Sequence, residues 1–224
     1  MRNAFSFEGP FFTSMSRVAD IIWLNILFLI CSLPIFTIGA SATAMYYVTL
    51  KMVRDEESYI TKSFFKSFKE NFLQATGIWI ILVVVGMVIT MDLKIVSNEA
   101  YAGIITSEAV RNVIMIASMM MFIILSGIVV YVFPILAKFE NTVKRTIINA
   151  FLMAIRHLPK TAILILITAV PLILMYFYVQ LFLIVFFVFS TIAYFSSKIL
   201  VKIFDNYIPK ETEADSKEVN NEEA

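Results

Sequence analysis

Apolar residues run through this chain in long blocks, not in alternation. Four stretches, residues 73–91, 112–136, 161–179 and 181–201, meet or approach the roughly 20 residues that carry a helix across a bilayer. Each is predicted to be helical, because a backbone in lipid must satisfy its own hydrogen bonds, and a barrel would show alternating strands of about ten residues instead. A fifth apolar region, 18–53, is longer than one span but is interrupted by Leu33-Pro34-Ile35-Phe36-Thr37-Ile38-Gly39-Ala40. Proline and glycine this close together end one helix and start another. The pattern predicts a hairpin: a helix over 17–33, a turn over 34–39, and a second helix over 40–53, both arms short for a full crossing.

Between the spans the period changes. Over 61–72, Phe64, Phe65, Phe68 and Phe72 recur at helical spacing, with Lys62, Lys66, Lys69 and Glu70 opposite them. Over 142–158, Ile147, Phe151, Ile155 and Leu158 face away from Arg145, Asn149 and Arg156, and the segment runs into Pro159. Both read as amphipathic helices at the lipid boundary. Shifting the chain by 86 residues lays Leu50 on Leu136, Phe65 on Phe151 and Phe72 on Leu158, a faint internal repeat of the kind transporters often carry.

Charge orients the bundle. The loop after the hairpin holds Lys51, Arg54, Lys62, Lys66 and Lys69, and the loop after residue 136 holds Lys138, Lys144, Arg145, Arg156 and Lys160. By the positive-inside rule both are expected in the cytoplasm. The connection carrying Asp92, Lys94, Glu99 and Glu108, and the uncharged turn near Gln180, are then expected outside. A hairpin that crosses fully gives six spans with both termini inside; a single crossing over 18–38 gives five and puts the N-terminus outside. Six is preferred, because a leading segment with Arg2 and Arg17 and no clean signal-peptide core is easiest to leave in the cytoplasm. The expected fold is therefore all-α: a polytopic transmembrane bundle of about six helices plus two cytoplasmic amphipathic helices, one domain over 1–208. The segment 209–224 carries six acids against Lys210 and Lys217 and is expected to be a disordered cytoplasmic tail.

Composition agrees. Sixty per cent of the residues are hydrophobic and 16% charged, with a mean hydropathy of +0.85, too apolar for a soluble domain. Cys31 stands alone, so no internal disulfide is expected, and the one histidine, His157, sits between Arg156 and Lys160 at a helix end. Neither a Cys/His cluster nor a phosphate-binding glycine loop nor a hydrolase or metalloprotease motif is present. No cofactor, metal site, nucleic-acid partner or catalytic set is expected. Within the spans the polarity is uncharged: Asp20 falls three residues after Arg17, a spacing that suits a local ion pair, and small hydroxyl residues read first as helix-packing positions. Asn25 stands out, because an amide in hydrocarbon needs partners: an unwound backbone near Pro34, or a polar ligand. Asn25, Pro34, Thr37, Gly39 and Tyr46 are the candidate polar and hinge positions. Phe64, Phe65, Phe68, Asn71, Phe72, Arg145 and Arg156 form the candidate surface for a cytoplasmic partner or for lipid.

Asn25, the stretch Leu33 to Ala40, Ala44-Met45-Tyr46-Tyr47 and Phe64-Phe65-Lys66-Ser67-Phe68-Lys69-Glu70-Asn71-Phe72, in that order, resemble the YesL family of bacterial membrane proteins over nearly the whole chain before the acidic tail. The resemblance implies a plasma-membrane protein with a domain of unknown activity, encoded beside sugar-uptake ABC transporters, solute-binding proteins, glycoside-degrading enzymes and a sensor kinase pair. It implies a non-enzymatic accessory or regulatory role near carbohydrate import, with membrane lipids, an ABC permease or sensor kinase, or a second copy of the chain as partners. The alternative is a small-solute or sugar permease. Importer permeases dock their ATPase through a helix with Glu-Ala-Ala, a glycine and Leu-Pro; here only Leu158-Pro159 is present.

Overall fold

The computed structural model describes residues 10–56, 59–97, 107–177 and 185–207. Among these the chain is all-helical: α1 (Pro10–Cys31), a 3-10 turn (Ile35–Thr37), α2 (Ile38–Val53), α3 (Ile60–Ser97), α4 (Glu108–Lys138), α5 (Val143–Arg156), α6 (Leu158–Phe177) and α7 (Val185–Phe204). The predicted spans 73–91 and 112–136 fall within α3 and α4, and the described parts of 161–179 and 181–201 fall within α6 and α7. The N-terminal arm, the outer connection with Glu99, the turn near Gln180 and the acidic tail lie outside the described residues.

α2 is the centre of the molecule. Ten of its sixteen residues are buried, and it packs against α1, α3, α4 and α7. Its partner α3 runs antiparallel to it, and at the top of the pair Gly39 lies so close to the backbone of Ala75 and to Trp79 that a Cβ there would meet Ala75 O at 2.5 Å. Small residues at helix interfaces permit such close packing, which is how membrane helices gain dispersion energy without a hydrophobic drive. Gly39 was expected in a turn; it is instead helical and buried, and its missing side chain is what the packing requires.

The amphipathic segment 61–72 was expected to be separate from the span that follows. It is the first third of α3, one helix about 57 Å long. The corresponding segment in the second half does break. α5 ends at Arg156, and α6 leaves at 107°. Pro159 stands at the break, in the first turn of α6, where its missing N–H costs nothing, whereas Pro134 and Pro171 lie inside α4 and α6. Under the 86-residue shift, Pro159 falls on Leu73. Gly127 of α4 also packs closely, against the side chains of Ala154 and Thr161, but under the shift it falls on Ser41 and not on Gly39.

The arms of the α1–α2 hairpin are shorter than α3 and α4. Its tip lies beside Trp79, whose indole N–H donates to the carbonyl of Ile35 at 2.9 Å, and α3 then continues to Ser97, about 27 Å further. Beyond that level Gly86 of α3 faces Leu125 of α4, and both helices expose apolar side chains such as Val84, Met87, Ile116 and Phe122. Among the described residues three helices, α3, α4 and α7, are long and apolar enough to cross a membrane, or four if the bent α5–α6 pair forms one span.

Candidate functional site

The break between α1 and α2 is where the sequence placed its most distinctive residues, and the structure shows how each is used. Ending α1 at Cys31 leaves its last carbonyls without helical partners. The Thr37 hydroxyl lies 2.6 Å from the carbonyl oxygens of both Cys31 and Pro34, its backbone N–H donates to Pro34 at 2.8 Å, and Trp79 takes Ile35. Leu33, Ile35 and Phe36 point outward, 79%, 74% and 54% exposed. An apolar tip whose backbone is satisfied from within is the form irregular backbone takes at membrane depth.

Asn25 is fully buried. Its Oδ1 accepts the backbone N–H of Ser190 at 3.0 Å, so it joins α1 to α7. Around it, Ser190 meets the sulfur of Met45 at 3.6 Å, Phe28 packs on Phe189 with ring centroids 5.2 Å apart, and Thr49 shares a 2.8 Å hydrogen bond with Ser197. Tyr46 is buried on the same side of α2. These contacts form a seam of small polar groups along the α1–α2–α7 junction.

The expected aromatic contact surface on α3 is divided. Phe64 is fully buried in the core, stacked on Phe68 at 6.2 Å and edge-on to Phe65 at 5.6 Å, while Phe72 follows Phe68 at 5.5 Å and is half-buried. Only Phe65 among them is exposed. The helix is wrapped by neighbours on that face, because α2 and α1 both lie against it. Asn71 donates to its own helix at Ser67 O, 3.1 Å away, and shares with Arg145 an open groove of about 810 Å³ that also presents Lys66, Glu70, Lys138 and Glu140. Arg156 is elsewhere, its guanidinium 5.6 Å from the centre of the Tyr207 ring.

His157 shares a 3.1 Å hydrogen bond with the Tyr207 hydroxyl. Burial, followed by the charges of Lys160 and Arg156, holds its pKa below the ordinary imidazole value. Among the described residues, no three His, Cys, Asp or Glu side chains gather as a metal would require.

One constellation escaped the sequence reading. Arg17, expected to pair with Asp20, reaches Asp55 instead and donates to the Tyr194 hydroxyl at 3.4 Å, while Arg54 pairs with Asp205. Adjacent residues of one turn thus tie α2 to α1 on one side and to α7 on the other. Asp55 takes a left-handed conformation, φ 55°, which Asp tolerates better than most residues. The only sequence signal was the Arg54-Asp55 pair directly after a helix.

Buried hydroxyl seams, an internally capped break and apolar outer faces define the class: a multi-pass helical membrane protein. A family model described as "Protein of unknown function, DUF624" matches residues 21–93, from within α1 to near the end of α3. The matched segment is the broken hairpin together with the helix it packs against, so this part of the chain is similar to a domain family of unknown function. No curated protein and no solved structure matches the chain.

Proposed function

We propose that the protein is a non-enzymatic accessory or regulatory membrane component of a carbohydrate-uptake system, and that its cytoplasmic face is the contact surface. The observation that carries this reading is how the break uses its polar groups. Asn25 holds Ser190 and Thr37 meets two carbonyls, so the two most distinctive polar residues of the region serve helix packing, while the buried hydroxyls of Ser32 and Ser41 beside them have no hydrogen-bond partner among the described residues. The link to carbohydrate uptake rests on the resemblance of the hairpin and the Phe-rich segment to the YesL family.

In this reading the N-terminus and the loops with Lys51 to Lys69 and Lys138 to Lys160 are cytoplasmic, in a bacterial plasma membrane. α3, α4, α6 and α7 cross, and α1–α2 enters and returns as a re-entrant hairpin whose tip stops about a third of the way along the apolar run of α3. The groove holding Asn71 and Arg145 is open and carries charges of both signs, as the polar margin of a protein contact does.

Purification in mild detergent is expected to recover an ABC permease subunit or a sensor kinase of a sugar-utilisation system, and Asn71→Leu with Arg145→Glu is expected to release it. Sugar uptake by liposomes containing this protein alone, abolished by Asn25→Leu, would replace the proposal with the permease reading.

A further inference from the structure

A second groove, of about 850 Å³, lies between α1 and the start of α3. Its rim carries Lys62, Lys66 and Lys69 on α3, with Trp23 and Tyr59 beside them and Asp20 on α1. The Trp23 indole N–H donates to the Thr61 hydroxyl at 2.9 Å, which braces one wall against the other. Lys66 leans toward Glu70 at 4.0 Å; among the described residues no carboxylate lies that close to Lys62 or Lys69. Three ammonium groups against the carboxylates of Asp20 and Glu70 leave the groove with a net positive charge.

What lies above the groove identifies the occupant. Lys62, Lys66 and Lys69 recur at i, i+4 and i+7, and the same face of α3 continues through Leu73 to Ile80, 84% and 50% exposed. On α1 the face that carries Asp20 and Trp23 continues to Ile30, 58% exposed, and Leu33, 79% exposed, follows just past the end of the helix at Cys31. A charged, aromatic-edged pocket therefore lies at one end of two helices that both carry exposed apolar side chains further along. This is the order of a phospholipid: phosphate, glycerol, chains. Asp20 sharpens the choice, because a bare phosphate would meet its carboxylate as repulsion, whereas a head group bearing hydroxyls beside its phosphate donates to it.

We propose that this groove is a binding site for one anionic glycerophospholipid, its phosphate among Lys62, Lys66 and Lys69, its hydroxyl-bearing head group toward Asp20, and its chains along Leu73 and Ile30. Each lysine near an anionic leaflet gains about 1 kcal/mol, and three converging on one head group select it over a zwitterionic lipid. Trp23 and Tyr59 sit at the level where amphipathic rings collect in membrane proteins.

The test is native mass spectrometry of the full-length protein, released from detergent containing equal amounts of phosphatidylglycerol and phosphatidylcholine. The expected result is retention of one phosphatidylglycerol in preference to phosphatidylcholine by about tenfold or more, equivalent to about 1.4 kcal/mol. That preference is expected to vanish in K62Q/K66Q/K69Q and to persist in K138Q/K144Q/K202Q, which removes the same charge from other exposed sites. Circular dichroism and gel filtration establish that both variants are folded. The preference surviving in the first variant, or falling equally in both, would overturn the site. Displacement of the lipid by inorganic phosphate would assign the groove to a soluble anion and overturn the lipid assignment.

Discussion

At the scale of single residues, the account turns on atoms that are absent or doubly used. Gly39→Ala places a Cβ 2.5 Å from the Ala75 carbonyl and 2.7 Å from the Trp79 Cβ, so the α2–α3 backbones must part; overpacking of this kind costs about 1–3 kcal/mol. Gly77→Ala meets nothing within 4 Å. Thermal unfolding in detergent is expected to show a lowered Tm for the first and an unchanged or slightly raised Tm for the second. Thr37→Val keeps the shape of the side chain but strips the hydroxyl from two carbonyls, and is expected to cost about 1–3 kcal/mol, which Thr37→Ser restores. The single histidine allows a clean titration. With burial, Lys160 and Arg156 all disfavouring the imidazolium, its NMR midpoint is expected below about 6.5, and Lys160→Gln is expected to raise it. Because the folded protein holds this proton less tightly than the unfolded chain, the sign is that stability falls as pH drops through the unfolded value.

These residues were legible in the sequence to different degrees. Asn25, Thr37 and Gly39 stood out because an amide, a hydroxyl and a glycine beside a proline inside an apolar run need a reason. Their partners did not stand out. Ser190 is 165 positions from Asn25, and nothing in local pattern announces a helix contact at that separation. Gly39 shows the opposite failure: a proline five residues earlier made a turn the natural expectation, yet Pro34 alone broke the helix and left Gly39 to serve packing.

At the scale of elements, one proline separates two otherwise similar halves. The phenylalanines of 61–72 have the period of an interfacial helix, and that period was read correctly. Whether such a helix fuses with the following span depends on a breaker, and between Phe72 and Leu73 there is none. In the second half Pro159 stands at the break, and α5 and α6 meet at 107°. The crossed ion pairs at the base belong to this scale as well. The side chains of Arg17 and Asp55 are 43% and 72% exposed, and exposed pairs of this kind contribute about 0.2–1 kcal/mol. A double-mutant cycle of Arg17→Gln and Asp55→Asn is expected to return a coupling within that range, with the pair orienting the α2–α3 turn more than stabilising it.

At the scale of the whole molecule, the helical bundle and its apolar spans followed from hydropathy alone, because lipid leaves so few options for a backbone. The depth of the first hairpin did not. Span length can be counted, but how far a short hairpin reaches depends on where its neighbour stands, and that is decided by Gly39 against Ala75 and Trp79 against Ile35. Those contacts place the tip beside the lower part of the α3 apolar run, with about 27 Å of α3 above it.

A re-entrant hairpin is thus the central claim, and cysteine accessibility tests it most directly. With Cys31 replaced by serine, single cysteines at Ser63, Ile35 and Ser107 are exposed in whole cells to a membrane-impermeant maleimide. The account predicts labelling at Ser107 from outside, labelling at Ser63 only after the membrane is opened, and no labelling of Ile35 from outside. Labelling of Ile35 from outside as readily as Ser107 would contradict it, since the hairpin would then cross the bilayer completely.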